Sequence, residues 1–227
     1  MPTDTEITAF IRALDDTKRQ LAVAKNQHKR MGLNWAQVQD SRSAWFDGTW
    51  KMLTLTPAHL QLSRGFLQHL GFWQRISPNM TADIHEALKS EADALYRWSI
   101  IHTTYSQLEE ALRLIATAYD PNFMSKPQSI AAVEGKLLSE LGLEHYADLF
   151  LLTRLIRNTI HTNGYYRPDR GGDRDVPWDG TTYAFRVDSQ ISWLSWPFIA
   201  AHVKALCDAM SQIVTHQQIV SLPTIKR

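Results

Sequence analysis

Arg154, Arg157, Asn158 and His161 fall in the run Leu151-Leu-Thr-Arg-Leu-Ile-Arg-Asn-Thr-Ile-His-Thr-Asn-Gly164. On a helix each residue advances by about 100°, which puts Arg154 within about 20° of His161, Arg157 about 40° away and Asn158 about 60° away. Leu152, Leu155, Ile156 and Ile160 then face the opposite side. These residue types suit phosphate chemistry on RNA. The 2′-hydroxyl of RNA is its own nucleophile, so cleavage to a 2′,3′-cyclic phosphate needs a proton-transfer group and cationic donors, and no metal. An imidazole titrates near neutral pH, and a guanidinium matches phosphate oxygens with paired hydrogen bonds. Asn158 adds an amide that can orient either partner.

The same stripe also meets a plainer need. A bundle helix with one apolar side must show a polar face, and Arg, Asn, Thr and His are ordinary there. Spacing alone does not choose between the two readings.

The segment 151–164 resembles the signature of the HEPN superfamily (higher eukaryotes and prokaryotes nucleotide-binding domains). These are all-α bundles in which an arginine, four to six residues and then a histidine lie near a helix end, commonly with a polar residue after the arginine. On that resemblance His161 is the family histidine and Asn158 the polar neighbour. Arg154 leaves six residues before His161 and fits the family spacing, whereas Arg157 has the Arg-Asn neighbour and leaves three. Both arginines stay open. The resemblance implies an all-α antiparallel bundle and a metal-independent endoribonuclease without cofactor, acting on RNA. It also implies a homodimer with a composite active site and a toxin or antiviral-defence setting with an antitoxin or defence partner. Noncatalytic members imply the alternative of a dimerisation or nucleotide- or RNA-binding module.

Three further arginines are candidates for substrate contact. Arg113, beside Glu109 and Glu110, is spaced to meet the motif helix, although such charges also make ordinary helix-surface pairs. Arg167 and Arg170, followed by Arg174, lie in a loop where phosphate contacts are tolerated, but Asp169, Asp173, Asp175 and Asp179 nearly cancel them.

Other chemistries find no foothold in the motifs. There is no His-Glu-x-x-His, no Gly-rich phosphate loop ending in Lys-Ser or Lys-Thr, and no Gly-x-Ser-x-Gly elbow. The single Cys207 excludes an intrachain disulfide and a cysteine-rich zinc module. Lys and Arg number 24 against 23 Asp and Glu, so any polyanion must meet a local patch rather than a global field. Eight tryptophans read as core and interface packing, because no basic groove interleaves them. A polar, acidic start and the lack of a long apolar run set the expectation of a cytoplasmic protein off the membrane.

The elements that must position these residues follow from periodicity. With 227 residues, 44% of them apolar, the chain can bury one sizeable core, read as a single domain over 1–227 with an N-terminal helical extension (1–55) and a core bundle (81–219). A surface helix runs from Asp4 to about Arg30, ending in a basic turn (Lys25, His28, Lys29, Arg30), and a short helix is expected around Trp35 to Phe46. Thr56-Pro57 reads as a cap and first position of a helix that stops at Gly71. Thr81 caps a long central helix ending before Asp120-Pro121, with apolar steps of three and four from Ile84 to Ile115. A helix over about Pro127 to Leu141 and the motif helix over about Glu144 to Thr162 follow, the latter closed by Asn163-Gly164. Tyr165 to Val176 forms an aperiodic excursion, Thr181 to Val187 alternates like a hairpin arm, and a helix from about Trp196 to Ile219 closes the chain.

Overall fold

The computed structural model describes residues 4–30 and 40–226, with the side chains of 28–30 outside that description. The chain is mostly helical: α1 (Asp4–Arg30), α2 (Ser41–Leu67), α3 (Leu70–Ile76), α4 (Ala82–Tyr119), α5 (Ile130–Glu140), α6 (Ala147–Ile160), α7 (Trp196–Thr215) and α8 (Gln217–Val220). One antiparallel pair interrupts it, β1 (Arg174–Trp178) with β2 (Thr181–Phe185). The expectation of mostly α structure with a hairpin-like excursion before the last long helix therefore holds. The side chains of the expected basic turn at His28, Lys29 and Arg30, and the expected helix start near Trp35, lie outside the described residues.

The central helix is 38 residues long, and Thr81 accepts a hydrogen bond from the Ile84 amide at its start, as the sequence predicts. Ile101, Tyr105, Leu108, Leu112 and Ile115 are buried along one side of it. α2, α5, α6 and α7 all pack on α4. α1 lies along α7 and α2, and its Ile7, Phe10, Leu14 and Leu21 join the same core as the rest of the bundle.

Two expectations are corrected in α2. Thr56-Pro57 does not open a helix; α2 is continuous from Ser41 to Leu67 with Pro57 inside it, and its cap is Asp40, which accepts from the Arg42 amide. An interior proline costs about 3 kcal/mol. Met52 and Leu53 before it and Leu60 after it are buried, and each such side chain returns roughly 1.5–3 kcal/mol, so packing holds both halves in line. Gly71 does not stop that helix either: α2 ends at Leu67, and Gly71 sits inside the short α3.

The hairpin turns at Asp179-Gly180, both at positive φ (49° and 71°), a pairing that matches the strand twist. Val176 and Phe185 point into the core. Trp178, Tyr183, Phe185, Trp193 and Phe198 then contact one another with ring centroids 4.8–5.9 Å apart, and this fastens the hairpin onto α7.

The C-terminal segment is tied to the start of α2 at Arg42. Its buried guanidinium bonds both carboxylate oxygens of Asp40 (2.9 and 2.5 Å) and the carbonyls of Ile219 and Pro223 (2.7 and 3.2 Å). Burial raises the Asp40 carboxyl, but the hydrogen bonds and charge of Arg42 outweigh this and hold it below its ordinary value. The depressed value means that this stabilisation is present above the ordinary carboxylate range and is lost as pH falls through it. Arg42→Ala leaves the buried Asp40 carboxylate without its counter-charge and the Ile219 and Pro223 carbonyls without the guanidinium donor, so urea unfolding should show a loss of about 3 kcal/mol; a change within about 0.5 kcal/mol would contradict the assignment.

Candidate functional site

α6 begins after a single 3-10 turn and carries its apolar residues on one side: Leu149, Phe150, Leu152, Leu155 and Ile156 are buried. Its opposite edge holds Arg154, Arg157, Asn158 and, at the C-cap, His161. The helix closes as the sequence predicts: Asn163 and Gly164 adopt positive φ, and the Gly164 amide donates to the Thr159 carbonyl at 2.8 Å. Glycine is required at 164, because its φ is +84° and a Cβ there would come within 3.1 Å of the Trp98 ring.

That contact also fixes how the helices face each other. Trp98 on α4 meets Gly164, while Tyr105, two turns further along α4, meets the group that holds Arg154. α4 and α6 are therefore antiparallel, and the side of α4 carrying Trp98, His102, Tyr105 and Glu109 looks onto α6.

The group in question is Glu134 of α5, which is 2% exposed. One carboxylate oxygen accepts from the Tyr105 hydroxyl at 2.8 Å, and the other is paired with Arg154. Burial raises the Tyr105 phenol well above its ordinary value, with Glu109 adding in the same direction and the nearby arginines opposing, so it stays a donor to Glu134. A buried carboxylate must be met in this way, since leaving it unpaired costs several kcal/mol. Glu134 was not read as functional in the sequence. Its signal was a charged residue at a core position, one turn before the buried Leu137 and Leu138.

The two candidate arginines thus differ. Arg154 is committed to Glu134, and Arg174 of β1 lies within electrostatic reach of it. Among the described residues, Arg157 has a buried Nε with no hydrogen-bond partner, as does His102 at Nδ1. Asn158 and His161 are exposed. Arg113 is near enough to act on Tyr105, but its guanidinium is engaged by Glu109 (3.1 and 2.9 Å) and by the Gln128 carbonyl (2.9 Å), which holds the loop before α5. Arg167 is exposed, bonds Asp188 at 2.8 Å and lies 5.5 Å from the Tyr165 ring centroid. Arg170 is exposed in the same excursion. The structure brings Arg154, Arg157, Asn158 and His161 to one edge, with Arg113 beside it, and leaves Arg167 and Arg170 on the solvent side of the loop.

Among the described residues no group of three or more His, Cys, Asp or Glu could hold a metal ion, and no helix is long and apolar enough to cross a membrane. No protein-family model, curated protein or solved structure matches the chain.

Behind α6 a second imidazole is sealed off. His202 is fully buried, stacked on Phe198 and edge-on to Trp178, and its Nε2 lies 2.9 Å from the Thr153 hydroxyl. That hydroxyl donates its one proton to the Leu149 carbonyl at 2.6 Å. Nε2 must therefore be the donor to Thr153, and Nδ1 carries a bare lone pair. Burial pushes the imidazole down to about 3. Between that value and the ordinary 6.5 the unfolded chain binds the extra proton, so stability falls as pH drops through this window, by at most about 1.4 kcal/mol per pH unit. His202→Phe keeps a ring in the stack and should flatten this acid limb in urea unfolding between pH 6.5 and 4; an unchanged slope would show that His202 is not its source.

Proposed function

We propose that this protein is a metal-independent endoribonuclease of HEPN type, acting on single-stranded RNA as a homodimer with the α6 edges of two copies forming one cleft. The observation that carries the reading is an exposed imidazole, His161, one turn below a guanidinium, Arg157, whose Nε has no partner among the described residues. In the reaction the 2′-oxygen attacks the adjacent phosphorus and the 5′-oxygen leaves, giving a 2′,3′-cyclic phosphate and a 5′-hydroxyl. His161 takes the proton from the 2′-hydroxyl or returns one to the leaving oxygen. Arg157 holds the charge that builds on the phosphate oxygens. Asn158, exposed beside it, orients the strand or the imidazole. Arg154 keeps the helix edge in place through Glu134 and does not touch the substrate. Arg113, engaged by Glu109 and the Gln128 carbonyl, supports the site from behind, Arg167 and Arg170 extend the phosphate contacts from the excursion, and a toxin or defence setting with a protein partner fits this activity.

One observation favours a second reading. The arginine with the family spacing, Arg154, is consumed by an internal carboxylate, which suits a noncatalytic dimerisation or RNA-binding module. Incubation with single-stranded RNA in EDTA separates the two. The first reading expects cyclic-phosphate ends, a loss of at least about a hundredfold in His161→Ala, and a comparable loss in Arg157→Gln. Uncut RNA, or cleavage indifferent to His161→Ala at matched purity, would contradict it, and RNA retained without cleavage would support the second.

A further inference from the structure

We propose that His102 and Arg157 form a binding site for one phosphate group in the seam between α4 and α6. The site follows from what these two side chains can and cannot do. Arginine is a donor only, and Arg157 Nε is shut off from solvent with no acceptor among the described residues. Leaving a charged donor unpaired in that position carries the full desolvation penalty of the group. The neighbouring acids are engaged with other donors. Glu134 already serves Tyr105 and Arg154, and Glu109 serves Arg113. The positive charge of Arg157 is thus left over beside Arg154 and Arg113, which are both matched.

His102 stands on the facing wall. It is four residues after Trp98, which touches Gly164, and three before Tyr105, which shares Glu134 with Arg154. Those two contacts bracket the part of α6 that contains Arg157. His102 Nδ1 is likewise buried without a protein partner. An imidazole can present an N–H there, so a donor from α4 and a donor from α6 border one seam. A tetrahedral oxyanion accepts from several directions at once, and its charge answers the unmatched guanidinium, which a neutral acceptor would not. The ligand chemistry is a phosphate oxygen, whether of a phosphodiester or a phosphomonoester.

This deepens the ribonuclease reading by assigning a second imidazole to the same edge, and it rests on that reading for its biological ligand. Its test does not need turnover. Protein labelled with nitrogen-15 in histidine is titrated with inorganic phosphate at pH 7, against sodium chloride at matched ionic strength, with the His102 signals assigned by their loss in His102→Gln. The His102 ring nitrogens should shift saturably with phosphate alone, and Arg157→Gln should weaken binding by about tenfold or more while the folded spectrum is kept. Displacement by a single-stranded oligoribonucleotide identifies a phosphodiester ligand; displacement by a nucleoside monophosphate alone identifies a monoester. His102 signals indifferent to phosphate, or affinity unchanged in Arg157→Gln, would overturn the site. Phosphate binding by a chain that cuts no RNA would remove the nuclease and leave this inference standing, whereas cleavage by a chain whose His102 ignores phosphate would do the reverse.

Discussion

A carboxylate buried in an apolar bundle has to be met by donors, and Glu134 is where this protein faces that demand. Tyr105 from α4 and Arg154 from α6 converge on it from two sides, so one acid ties three helices together. The tie sets the rotation of α6: with Arg154 turned toward α5, the apolar residues lie inward and Arg157, Asn158 and His161 come to the outer edge. It also decides what each arginine is free to do. Arg154 is matched, and Arg157, one turn on, is not.

Around that tie the rest of the molecule is support. Arg113 fastens the loop before α5 and so holds Glu134 in place from behind. The hairpin closes over α6 through its aromatic contacts with α7, and His202 sits within that packing as a neutral ring bonded to Thr153 of α6. Two imidazoles on or against one helix thus have opposite surroundings. His202 is sealed in hydrocarbon, where protonation works against folding, while His161 is open to solvent and to any substrate.

Much of this could be read along the chain, and the misses have physical causes. Thr81, the central helix and the Asn163-Gly164 stop were legible because caps and three-and-four steps are local signals. Pro57 misled because its preference for a first turn is local, whereas the burial of Leu53 and Leu60 that keeps α2 straight is a tertiary effect. Strand β1 was hidden by Arg174, Asp175 and Pro177, although Asp179-Gly180 carried a hairpin signal. At the site, the exposed edge of α6 followed from periodicity. The choice between Arg154 and Arg157 did not, because it depends on a carboxylate twenty residues upstream of Arg154 that no spacing rule connects to it.

Glu134 holding Arg154 is the tie from which the rest follows, and a double-mutant cycle on that pair measures it. Urea unfolding of the parent chain, Glu134→Gln, Arg154→Met and the double variant gives their coupling energy. The coupling should be at least about 2 kcal/mol, with the double variant less destabilised than the sum of the two single variants. A coupling near zero would mean that Arg154 is not held by that carboxylate, and the reason for assigning the phosphate contact to Arg157 would go with it.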